Sequence, residues 1–82
     1  MITVKFFGLI SVDSNIRQLL VKEGTVREVL NEVVQSCPNI SEQLLTQAIM
    51  FLNNQHITGK KRFSVVLKEG DELALLSPSS GG

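Results

Sequence analysis

Ile2, Val4 and Phe6 alternate with Thr3 and Lys5 at the start of the chain, the period of two expected of a strand with one buried face. Phe7, Gly8 and Leu9 end that strand, Ser11 to Asn15 is polar and turn-rich, and Ile16 to Lys22 reads as a second strand closing an antiparallel hairpin. Gly24 and Thr25 then mark a change of period. Thr25 followed by Glu28 forms a capping box, in which each side chain satisfies a backbone N–H left unpaired at a helix start. Val26, Val29, Leu30, Val33, Val34 and Cys37 make one continuous apolar stripe, while Arg27, Glu28, Asn31, Glu32 and Gln35 face water. Pro38 closes this helix.

Ser41 to Gln47 suits a short helical turn capped by Ser41, with Leu44 and Leu45 packing beneath it. Ala48 to Asn53 is the densest apolar stretch and reads as a central strand buried on both faces. Asn53 to Gln55 form a turn, His56 falls in an exposed loop, Thr58 to Arg62 is a basic solvated loop, and Phe63 to Leu67 is an edge segment. A turn at Lys68 to Asp71 feeds the last strand, Leu73 to Leu76, before Pro78 stops regular pairing. The expected division is a domain over 1–76 and a C-terminal tail over 77–82. Hairpin, helix, strand, short segment, strand is the order of an α+β, β-grasp fold, one helix lying across a mixed sheet.

Composition narrows the function. Eighty-two residues make one domain with a small core, too small to enclose a deep catalytic pocket of its own. Eight basic residues balance eight acidic ones, which disfavours nucleic acid or an anionic membrane as the main partner. No apolar run approaches the roughly 20 residues of a membrane span, and no signal-peptide pattern opens the chain. A single cysteine cannot form an internal disulfide, so the expected compartment is the cytoplasm. That cysteine, Cys37, lies on the helix's apolar stripe and reads as an inert core residue. With one histidine and no cluster of ligand residues, no metal site is expected, and no phosphate loop, carboxylate pair or serine triad is visible.

The chemistry therefore points to the end of the chain. From Gly70 it runs Gly-Asp-Glu-Leu-Ala-Leu-Leu-Ser-Pro-Ser-Ser-Gly-Gly. Two terminal glycines can thread a narrow passage, because without Cβ they adopt either sign of φ. The terminal carboxylate is ionised at neutral pH and can act as a nucleophile toward a phosphate ester. This motif resembles the C-terminus of MoaD/ThiS-type ubiquitin-like sulfur carriers, and is most similar to the small subunit of molybdopterin synthase. Phe6-Phe7-Gly8 and the Leu52-Asn53 step also resemble that family.

The resemblance implies a ubiquitin-like fold with the C-terminal strand in the middle of the sheet. It implies that an adenylyltransferase related to ubiquitin-activating enzymes uses ATP and magnesium to convert the Gly82 carboxylate to an acyl adenylate. A sulfur donor protein then turns it into a thiocarboxylate, which the tail delivers inside the large subunit of molybdopterin synthase. Such a chain binds no cofactor and is not an enzyme alone. Gly82 is the attachment site, Gly81 allows threading, and Pro78 and Ser80 enter the partner with the tail. Ordering six tail residues costs on the order of 6 to 12 kcal/mol, so the globule must dock as well. One of Phe6 or Phe7 and one of Leu75 or Leu76 are the expected anchors. Carriers for thiamin thiazole, tRNA thiolation or a tungsten cofactor share the pattern, as does a ubiquitin-like modifier joined to lysines of target proteins.

Overall fold

A computed structural model describes residues 1–8 and 17–77. The expected turn at Ser11 to Asn15, and Pro78, Ser80, Gly81 and Gly82, lie outside the described residues.

Alternation at the N-terminus does give a strand, β1 (Ile2–Phe7), with Ile2, Val4 and Phe6 buried. It pairs antiparallel with β2 (Gln18–Val21), shorter than the expected second strand. The capping box forms as its residues dictate: Thr25 N–H donates to Glu28 Oε1 at 2.8 Å, and Glu28 N–H donates to Thr25 Oγ1 at 3.2 Å. It opens helix α1 (Val26–Ser36), whose Val26, Val29, Leu30 and Val33 are buried. Just past its end Cys37 is also buried, and loss of water around the thiol pushes its pKa up, away from the reactive thiolate.

Ser41 caps α2 (Glu42–Thr46) by accepting the Leu44 N–H at 3.1 Å, and Leu45 is driven fully inside. Next come β4 (Ile49–Leu52) and β5 (Gln55–Ile57), joined through Asn53 and Asn54 with φ of 50° and 70°. Two successive positive φ values are what a tight hairpin needs to match the twist of its strands, and Asn tolerates them. The short β3 (Gly24–Thr25) pairs with β6 (Val66–Leu67) in a separate two-stranded ladder. Finally β7 (Glu72–Leu76) runs through the middle of the five-stranded sheet, whose order is β2-β1-β7-β4-β5. It lies parallel to β1 and antiparallel to β4.

Three expectations need correction. β4 is interior but not buried on both faces: Met50 is fully inside, whereas Ile49 and Phe51 are only half-buried, because α1 covers one side of the sheet. His56 is not in a loop but in β5, exposed and stacked on Phe51 with ring centroids 5.0 Å apart. The basic segment is a 3-10 helix (Lys60–Ser64) that also takes up Phe63. Its Arg62 is half-buried: the guanidinium donates to the Thr46 carbonyl at 2.8 Å and lies 4.6 Å over the Phe63 ring. Arg62 therefore clips this helix to the end of α2, and of the three basic residues only Lys60 and Lys61 are left solvated.

Candidate functional site: the open face of the sheet and the exit of the last strand

Position 71 fixes where β7 begins. Asp71 accepts the Lys68 N–H at 2.8 Å and the Asn53 side-chain amide at 3.1 Å, closing the turn on one side and tying it to the β4–β5 hairpin on the other. These donors, the Lys68 backbone first, hold the carboxyl below its ordinary pKa. Asn53 also accepts the Glu72 N–H at 2.9 Å, so one side chain sets the register of β4 against β7.

From that root the strand sorts its side chains by pleat. Leu73 and Leu75 are fully buried against α1, while Glu72, Ala74 and Leu76 stand on the open face. Strand pairing brings Phe7, Leu76 and Ile49 into one row across the sheet and Lys5, Ala74 and Phe51 into the next. Phe7 is 48% exposed, whereas Phe6 is 2% and Leu75 0% exposed. Of the four expected anchors, Phe6 and Leu75 are therefore core residues, and Phe7 and Leu76 lie on the open face. Lys5 Nζ meets Glu72 Oε2 at 3.2 Å on that face. The amino group gains a partner without leaving water.

At the far end Ser77, expected to begin the tail, is still buried, and its N–H continues the parallel pairing by donating to the Phe7 carbonyl at 3.5 Å. Gly8 makes room for it. At φ +70° a Cβ there would come within 2.7 Å of Ser77 Oγ. Gly8, Ala74, Phe51 and the Lys5–Glu72 pair were not singled out from the sequence as site residues. Gly8 follows the Phe-Phe pair and Ala74 is the one small residue in the last strand, which were the available signals. Among the described residues no group of three or more His, Cys, Asp or Glu could hold a metal, and no helix is long and apolar enough to cross a membrane.

A mixed sheet with its last strand at the centre and one main helix across one face defines a ubiquitin-like β-grasp protein. The ThiS family matches residues 4–82, and the chain belongs to it. That sets it among small ubiquitin-like carrier proteins of the ThiS and MoaD type, which are not themselves catalysts.

Similar solved structures include a complex of subunits 1 and 2 of molybdopterin-converting factor from Helicobacter pylori, at 25% identity and TM-score 0.68, covering 99% of this chain and 97% of that one. Small archaeal modifier protein 1 from Methanosarcina acetivorans is similar at 20% identity and TM-score 0.84, covering 99% and 95%. A BexX/CysO complex from Amycolatopsis orientalis is similar at 19% identity and TM-score 0.80, covering 100% of each. No curated protein matches the chain by sequence.

Proposed function

We propose that the chain is a sulfur carrier whose Gly82 carboxylate becomes a thiocarboxylate, acting as the small subunit of a molybdopterin synthase. The observation that carries this reading is the family match running through the Gly81-Gly82 end, on a chain whose central strand ends at Leu76, six residues before that end in sequence. The likeness to a molybdopterin-converting factor subunit supports the choice of acceptor.

A carboxylate has no good leaving group, and adenylation supplies one. Its oxygen attacks the α-phosphorus of ATP, held with magnesium by an adenylyltransferase, and pyrophosphate departs. Hydrosulfide delivered by the sulfur donor then attacks the acyl carbon, AMP leaves, and loss of a proton gives the thiocarboxylate. The thiocarboxylate enters the large subunit with Pro78, Ser80 and Gly81, while Phe7 and Leu76 dock the globule. Docking is needed because a short end made of Pro, Ser and Gly offers little apolar contact of its own.

The test is the mass of the C-terminal tryptic peptide, Glu69 to Gly82, after incubation with the cognate adenylating enzyme, ATP, magnesium and a sulfide source. That peptide has no cysteine, so a sulfur-for-oxygen shift cannot be confused with a persulfide on Cys37. The shift is expected, followed by its loss when large subunit and pterin precursor are added. An unmodified peptide, with the enzyme active on a control carrier, would overturn the proposal. Gly82 linked to lysines of other proteins would assign the same adenylate to protein modification instead.

A further inference from the structure

Ala74 is the smallest side chain at the centre of the open face. Register sets it between Lys5 on β1 and Phe51 on β4, with Leu76 and Phe7 in the row toward the exit of β7 and Glu72 in the row toward its root. The taller neighbours stand around it, and with Asn54 they enclose a recess of about 320 Å³.

We infer that this recess is a hole for one uncharged, apolar side chain of the adenylating enzyme that activates Gly82, and that Ala74 is the residue selecting for it. The inference rests on the proposed function and names what the docking face recognises. Three observations bear on the occupant. The aromatic and aliphatic wall, Phe7, Phe51 and Leu76, offers contact area that water cannot use. The two charges on the rim, Lys5 and Glu72, are paired with each other at 3.2 Å, so they call for no countercharge from the visitor. Leu76, the last residue of β7, lines the recess, and the five residues beyond Ser77 extend at most about 17 Å, so an enzyme holding Gly82 stands within reach of this face.

A hole and a merely greasy surface respond oppositely to added apolar bulk. Ala74→Leu adds apolar area on an open strand position, where a larger side chain suits the pleated surface, so folding is retained. If the partner inserts a knob, the added volume collides with it and affinity falls about ten-fold or more. If contact is only area, affinity stays the same or rises.

The experiment is calorimetric titration of the full chain against the cognate adenylating enzyme, with melting curves for every variant. The expected result is a loss of about ten-fold or more for Ala74→Leu, a comparable loss for Phe7→Ala, and near wild-type affinity for Ala74→Ser, which keeps the hole open. Unchanged or tighter binding by Ala74→Leu, with Phe7→Ala still weakened, would overturn the hole while leaving the carrier function intact. A wild-type chain that is not bound at all would overturn both. Concentration-dependent self-association abolished by Ala74→Leu would give the recess to a second copy and so overturn this assignment.

Discussion

The two faces of β7 are built from neighbouring residues and made for opposite ends. On one, Leu73 and Leu75 are sealed against α1; on the other, Glu72, Ala74 and Leu76 stay within reach of solvent. The inner face holds its residues by packing against elements distant in sequence, so its loss is a loss of fold. The outer face carries Phe7 half-exposed at no structural necessity, since strand pairing on that side is already complete through the backbone.

The largest expected effect separates the faces directly. Leu75→Ala should cost about 2 to 5 kcal/mol of stability, the transfer loss of a buried leucine plus the cavity left behind. Phe7→Ala should cost less than about 1 kcal/mol, the value of a cross-strand pair with Leu76, while weakening partner docking. Chemical denaturation read beside partner affinity tests the division. Similar stability losses from both substitutions would mean that the faces are not separate.

A sharper cut comes at the strand's exit, where the faces meet the tail. Gly8 and Gly70 both have positive φ, +70° and +88°, but only Gly8 is hemmed in, by Ser77 and Leu76. Alanine at either site pays roughly 1 kcal/mol for the left-handed backbone. Gly8→Ala should lose more than Gly70→Ala, because its Cβ must also push aside the Ser77 hydroxyl and the Leu76 methyl. Equal losses in thermal melts would show that the Gly8–Ser77 contact does not anchor the root of the tail.

Much of this was legible in the sequence, for reasons that differ by residue. Thr25 and Glu28 declare the helix start because the capping box is local, and the Val26 to Cys37 stripe declares its buried face by periodicity. The choice between Phe6 and Phe7, or Leu75 and Leu76, was not legible, since consecutive apolar residues do not reveal which one the pleat turns inward. Ala48 to Asn53 misled for the same reason: an apolar strand under a single helix looks like one covered on both sides, and the outward Ile49 and Phe51 stand half-buried on the open face rather than in the core. Arg62 and Phe63 form a clip only because α2 ends beside the 3-10 helix, a contact across 16 residues that no local pattern encodes. The Gly-Gly end was legible as a mark of the family, and the recess at Ala74 was not, because it exists only once three strands are in register.

The smallest effect concerns the root that holds both faces in register. Hydrogen bonds from the Lys68 N–H and the Asn53 amide depress the Asp71 pKa in the folded state, whereas in the unfolded chain the carboxyl returns to about 3.9. A depressed folded pKa means that the folded state binds the proton less readily than the unfolded state does. Its contribution to stability is therefore fully present above about pH 5, begins to fall near the unfolded pKa and is lost as pH falls through the folded value. Asp71→Asn removes the titration but leaves an oxygen to accept from Lys68. The stability difference between wild type and this variant should be constant from neutral pH down to about pH 5, then shrink toward acid as the other carboxylates, common to both proteins, cancel. Because the carboxyl is solvent-accessible, the change should be small beside the Leu75 and Gly8 effects. A difference that instead grows on acidification would mean that the turn, and with it the start of β7, is held by something other than the ionised Asp71.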